Sequence, residues 1–126
     1  MNAAKAPSVK RFLLVSKSPP YGSSSAKDLL DVALTCSVFE QPVSLLLLGD
    51  AVLQLLPKQH SAPLGQKNLN ALQDSLAMYD IESIYVDEKA LTFHGLSCDD
   101  LQINASALNR IQIQNIISEH DVVINF

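Results

Sequence analysis

A three-layer α/β/α domain on a mostly parallel five-stranded sheet is the architecture that this 126-residue chain predicts. Two features carry that expectation. Short apolar runs without polar alternation, Phe12-Leu13-Leu14-Val15 and the run over 43–48, read as strands covered on both faces. Stretches with apolar residues at helical spacing lie between such runs, and strands alternating with helices in this way pair in parallel through crossover connections. At this length one domain buries roughly two-thirds of the surface that its unfolded form exposes, so neither a disulfide nor a metal is needed to hold a core.

The order of elements follows from local chemistry. Residues 1–9 read as a disordered N-terminal lead, because they lack an apolar core of the kind a secretory signal carries, and 10–126 as the folded domain. Pro19 and Pro20 stop the first strand, Gly22 permits a reversal, and Ser23, Ser24 or Ser25 can cap a helix over 26–39. In that helix Ala26, Leu29, Leu30, Ala33 and Ser37 share one face, while Val32, Cys36 and Phe39 fall on another. Gln41-Pro42 turns the chain into the second strand, Gly49 closes it, and Asp50 is placed to cap a short helical segment over 51–56. That segment and the first helix carry more apolar residues than one side of a helix hides, which predicts cover by another chain.

A loop over 58–66, with Pro63 and Gly65, precedes a helix over 68–78 that has Leu69, Leu72 and Leu76 at helical spacing. A third strand is expected over 82–86 with Ile84 and Val86 facing the same way. A short helix from Asp87 to about Phe93 follows, ended by Gly95. Leu101-Gln102-Ile103-Asn104-Ala105 alternates and reads as a fourth strand. Ser106 is placed to cap a helix reaching about Glu119, with Ile113, Ile116 and Ile117 inward, before a last strand over 122–126.

Composition narrows the function. Hydrophobic residues make up 48% and charged residues 17%, which is apolar for a small chain, yet no run is long enough to span a bilayer. Nine basic residues against thirteen acidic give a net charge of -4 with no basic cluster, which argues against direct grip on a nucleic acid. A cytoplasmic location is expected, and there Cys36 and Cys98 form no structural disulfide; their separation matches no zinc spacing.

The residues that could carry chemistry form no convergent set. Cys36 sits mid-helix among apolar neighbours and reads as core packing. Cys98 reads as an exposed loop cysteine, and the carboxylates of Asp99 and Asp100 beside it disfavour a thiolate. His60, His94 and His120 are isolated, without ligand spacing. The loop over 19–25 could hold an anion but lacks a phosphate-binding glycine pattern, so helix capping is the plainer reading. Asp99 and Asp100 read as a solvated turn. No catalytic residue, metal site or cofactor site is expected.

Four blocks are similar to one another's counterparts in a known family: Ser18-Pro19-Pro20-Tyr21-Gly22; Gly49-Asp50-Ala51-Val52-Leu53-Gln54-Leu55-Leu56-Pro57; Tyr79-Asp80-Ile81-Glu82-Ser83-Ile84-Tyr85-Val86; and Asp121-Val122-Val123-Ile124-Asn125-Phe126. In order and spacing they resemble the DsrE/DsrF family over nearly the whole chain, and within it the TusC/DsrF branch. The sequence departs from that pattern at Ala51, where glycine is expected, and at Lys27-Asp28-Leu29, where an Arg-Glu-Gly-like triplet is expected.

The resemblance implies a non-catalytic structural subunit of a sulfur-relay complex similar to TusBCD. Its partners would be paralogous chains resembling TusB and TusD, in a heterotrimer that pairs into a hexamer. Such a complex receives persulfide sulfur from small carrier proteins and passes it towards 2-thiouridine at the tRNA wobble position. In the DsrEFH variant the same architecture serves sulfur oxidation. The family's catalytic cysteine lies near the end of the third strand, and the resemblance aligns that position with Tyr85, a phenol that forms no persulfide; the thiol is then expected on a partner chain. Two further readings stay open: a sulfurtransferase acting through Cys98 or Cys36, and a small-molecule module using the strand C-terminal ends.

Overall fold

The computed structural model describes residues 9–17, 25–56, 76, 78, 81, 83–101 and 103–126. Residues 1–8 of the expected lead over 1–9, residues 19–24 of the loop over 19–25, the loop over 58–66, nearly all of the helix over 68–78, and His60 lie outside these residues. Among the described residues five strands are present: β1 (Phe12–Ser16), β2 (Val43–Leu47), β3 (Ser83–Asp87), β4 (Ser106–Leu108) and β5 (Val122–Asn125). They form one sheet in the order β4-β3-β2-β1-β5, and every pairing is parallel. The helices are α1 (Ser25–Val38), α2 (Glu88–Phe93) and α3 (Arg110–Glu119), with a 3-10 helix over Gly49–Leu55 and a 3-10 turn over Cys98–Asp100.

Strand order decides which face each helix covers. From β1 the chain steps to β2, β3 and β4 in one direction across the sheet, and right-handed crossovers keep the intervening elements on one face. The last crossover runs back over the whole sheet to β5, beyond β1, so the same handedness puts α3 on the opposite face. The first face holds the main core: Leu14, Leu45, Leu47, Ile84 and Val86 from the strands meet Leu29, Leu30 and Ala33 of α1, Val52 and Leu55 of the 3-10 helix, Leu76, and Ala90 and Leu91 of α2. On the second face Leu13, Val15 and Leu46 meet Ile116, with Ile113 and Tyr85 at the margin. Ile84 and Val86 thus share the main-core face as expected, and Tyr85 points to the other.

Several boundaries differ from the sequence reading. The described residues 101 and 103–105 are not in a strand; the ladder to β3 is made instead by Ser106–Leu108, with Tyr85 opposite Ser106. Alternation along Leu101, Ile103 and Ala105 is real, because all three pack against the main core, but alternation reports burial and not hydrogen bonding. Ser106 is consequently a strand residue, and Asn109 caps α3: its side chain accepts from the Gln112 N–H while Gln112 Oε1 accepts from the Asn109 N–H. Ile117 is 39% exposed rather than inward.

Asp50 is likewise no cap, since Leu48 holds the N-cap position of the 3-10 helix. In that segment Ala51, Val52 and Leu55 are buried in the chain's own core, while Leu53 and Leu56 are half-buried. Cys36 lies on the core side of α1 with Leu29, Leu30 and Ala33, and the exposed apolar excess at this helix reduces to Val38 and Phe39 at its end.

Both of the first two helix ends close in the same way. At α2, the Leu96 N–H bonds to the Leu91 carbonyl at 2.8 Å and the Gly95 N–H to Thr92 at 3.0 Å, with Gly95 at φ +68°. At α1, the Gln41 N–H reaches the Cys36 carbonyl and the Glu40 N–H reaches Ser37, each at 2.9 Å. Here the left-handed residue is Glu40, φ 57°, where glycine is the usual choice.

Candidate functional site

Tyr85, which the resemblance aligns with the family's cysteine position, is half-buried on the α3 face of β3. Its phenol has no sulfur chemistry, and no cysteine lies beside it in β3. Cys36 is buried in α1, and burial pushes its thiol pKa up, the reverse of what a sulfur nucleophile needs. Cys98 was expected in an exposed loop; it opens the 3-10 turn, half-buried, and packs against the main core. The carboxylate of Asp100 closes this turn by accepting from the Ser97 N–H at 2.9 Å. Neither cysteine is in a disulfide.

The two described histidines each have a hydrogen-bond partner, and among the described residues neither belongs to a cluster that could hold a metal. His94 caps the C-terminus of α2 and its Nε2 lies 3.0 Å from Asp50 Oδ1, tying α2 to the 3-10 helix. His120 follows α3 and makes two ring contacts: Nδ1 is 2.7 Å from the Ile116 carbonyl oxygen and Nε2 is 3.2 Å from Ser44 Oγ. Because a carbonyl only accepts, the neutral ring carries its proton on Nδ1, and the Ser44 hydroxyl then donates to Nε2. No spacing signal announces this pair, whose members are 76 positions apart.

Ser44 and His120 line a cleft of about 530 Å³ beside α3. One wall is Gln112, Asn115, Ile116 and Glu119, which share a helix face at i, i+3, i+4 and i+7. The floor is the uncovered part of the second sheet face: Ser44 and Ser83, directly paired across β2 and β3, with Tyr85 and Leu108 beyond them. Among the described residues α3, a helix of ten residues, covers this face, and the cleft lies beside it over the small polar Ser44 and Ser83. It opens towards the N-terminal ends of β1, β2 and β3, where Arg11 lies. The strand C-terminal ends, expected for a small-molecule module, are not where it forms. Asp121 secures the rim: it accepts from the Arg11 N–H at 2.8 Å, with the Arg11 Nε at 3.8 Å.

Elsewhere the surface carries large apolar side chains. Phe39 is 71% exposed and Phe93 82%, and Val38 and Ile111 are exposed as well. Among the described residues no helix is long and apolar enough to cross a membrane.

Comparison with known proteins agrees with this fold. A solved structure, the ychN protein from E. coli, superposes with a TM-score of 0.80 at 21% identity, over 94% of this chain and 100% of that one. A Pseudomonas aeruginosa protein described as a TusC homolog is 34% identical over 113 residues, covering 90% of this chain and 95% of its own length. The intracellular sulfur oxidation protein DsrF of Allochromatium vinosum is 30% identical, covering 94% of this chain and 97% of its own. The pattern of the DsrE/DsrF-like family matches residues 10–126, and the chain belongs to that family.

Proposed function

We propose that this chain is a cytoplasmic, non-catalytic subunit of a sulfur-relay complex, which binds paralogous chains resembling TusB and TusD while the sulfur-bearing thiol sits on one of them. The carrying observation is the similarity to a TusC homolog at 34% identity across 90% of the chain. The cysteines support it: one is buried with its pKa raised, the other is packed against the core, and Tyr85 stands at the aligned third-strand position. The exposed Val38, Phe39, Phe93 and Ile111 supply apolar surface of the kind that subunit contacts use.

In this reading the chain assembles as one third of a heterotrimer that pairs into a hexamer, takes persulfide sulfur from a small carrier protein, and passes it towards 2-thiouridine at the tRNA wobble position. Similarity to DsrF favours a second reading, the same architecture serving sulfur oxidation. Co-expression with the two neighbouring subunits, sized by light scattering, tests assembly. Deletion of the gene followed by analysis of tRNA nucleosides tests the pathway: loss of 2-thiouridine is expected, and an unchanged level removes the tRNA reading. Reconstituted complex carrying Cys36→Ser and Cys98→Ser together is expected to transfer sulfur at the wild-type rate; a lost activity overturns the non-catalytic assignment.

A further inference from the structure

We propose that Ser44 and His120 form a nucleophile and base for acyl transfer, an activity independent of sulfur relay. A serine nucleophile is recognised by a base within about 2.6–3.2 Å of its hydroxyl and by a third group that orients the base. Both conditions are met: His120 Nε2 lies 3.2 Å from Ser44 Oγ, and the Ile116 carbonyl holds Nδ1 at 2.7 Å. That carbonyl fixes the tautomer, leaving the Nε2 lone pair aimed at the hydroxyl proton.

A histidine at a helix end often does no more than satisfy a carbonyl. Two observations distinguish this one. Ser44 and His120 both line the cleft of about 530 Å³, so the hydroxyl is reachable from solvent. The cleft also has the volume and mixed lining of a small-molecule site, with Leu108, Pro42 and Ile116 as apolar surface for an acyl chain. On its helix wall the Asn115 carboxamide offers an N–H to a developing oxyanion, while Gln112 is held in the α3 cap through its Oε1. Ser44 stands on a central strand and His120 is tied to α3, so the pair is held by two rigid elements.

The substrate class is a short-chain carboxylic ester. Ser44 Oγ bonds to the carbonyl carbon as its proton passes to His120 Nε2. The tetrahedral adduct collapses, breaking the bond to the alcohol oxygen, and the leaving alcohol takes the proton from Nε2. Water then attacks the acyl-serine with its proton moving to Nε2, and collapse releases the carboxylic acid and restores the Ser44 hydroxyl.

The test uses the purified full-length chain and an alkyl fluorophosphonate probe, whose phosphorus is attacked by an activated serine with loss of fluoride. Labelled peptide mapping is expected to place one adduct on Ser44 in the native protein and none in heat-denatured protein. His120→Gln is expected to slow labelling about a hundredfold, the size of a lost general base, and Ser44→Ala to abolish it. Cys98→Ser serves as a control that leaves labelling unchanged. With p-nitrophenyl acetate, a burst of one nitrophenolate per chain is expected, with the acetyl group on Ser44. Absence of a Ser44 adduct in native protein, equal labelling after denaturation, or a wild-type rate in a folded His120→Gln variant overturns the proposal.

Discussion

The Gln54 side-chain N–H donates to Ser16 Oγ at 3.1 Å, and the two are the buried polar side chains among the described residues. This bond joins the end of β1 to the 3-10 helix. A buried polar group left without its partner costs about 1–3 kcal/mol. Gln54→Ala is therefore expected to lower unfolding stability by about 2 kcal/mol. Urea titration of this variant, Ser16→Ala and the double mutant checks it: a coupling energy near zero would show that the bond contributes nothing.

Glu40 closes α1 in the left-handed region, φ 57°, where a side chain costs about 1–2 kcal/mol and glycine does not. Part of the gain from glycine is lost to its larger unfolded-state entropy. Glu40→Gly should then raise stability by up to about 1 kcal/mol, seen as a Tm increase of a few degrees. Gly95→Ala, at φ +68° in the matching position after α2, should lower it by a similar amount.

Cys36 predicts a pH dependence. Burial raises its pKa in the folded chain, so the folded state keeps the thiol proton after the unfolded state has begun to lose it. The linked stability is complete below the unfolded thiol value of about 8.5 and declines as pH rises towards the folded value. Between pH 8 and 10 the wild-type Tm should fall more steeply than that of Cys36→Ala. Parallel curves would count against it.

Phe39, 71% exposed at the end of α1, separates assembly from folding. Phe39→Ser should change the isolated chain's stability by no more than about 0.5 kcal/mol, because little contact is lost. Its co-purification with the neighbouring subunits should weaken. Unchanged recovery of the complex would remove this end of α1 from the interface.

Much of the fold was legible because burial leaves a periodic trace. Phe12 to Val15 and the run over 43–48 are apolar on both faces since both faces are covered, and Ile84 and Val86 share a side since a strand alternates. The short helix after Asp87 and its stop at Gly95 are local capping chemistry and were found as expected. The fourth strand was misplaced at 101–105, since those residues alternate by packing while the ladder forms just beyond them. Of the apolar residues over 51–56, the domain itself buries Ala51, Val52 and Leu55, a division from the half-buried Leu53 and Leu56 that sequence does not show.

The sequence by itself determined the α/β class, the parallel pairing, the family and the burial of Cys36, all of which rest on local patterns and on their order along the chain. Only the tertiary structure decided the strand order, the placing of α3 on the second face, and the meetings of Asp50 with His94 and of Ser44 with His120. The reason is physical: the last crossover carries the chain back over the whole sheet and brings His120 to Ser44, 76 positions away, while Asp50 meets His94 only because the segments after β2 and β3 pack on the same face; neither contact leaves a local pattern.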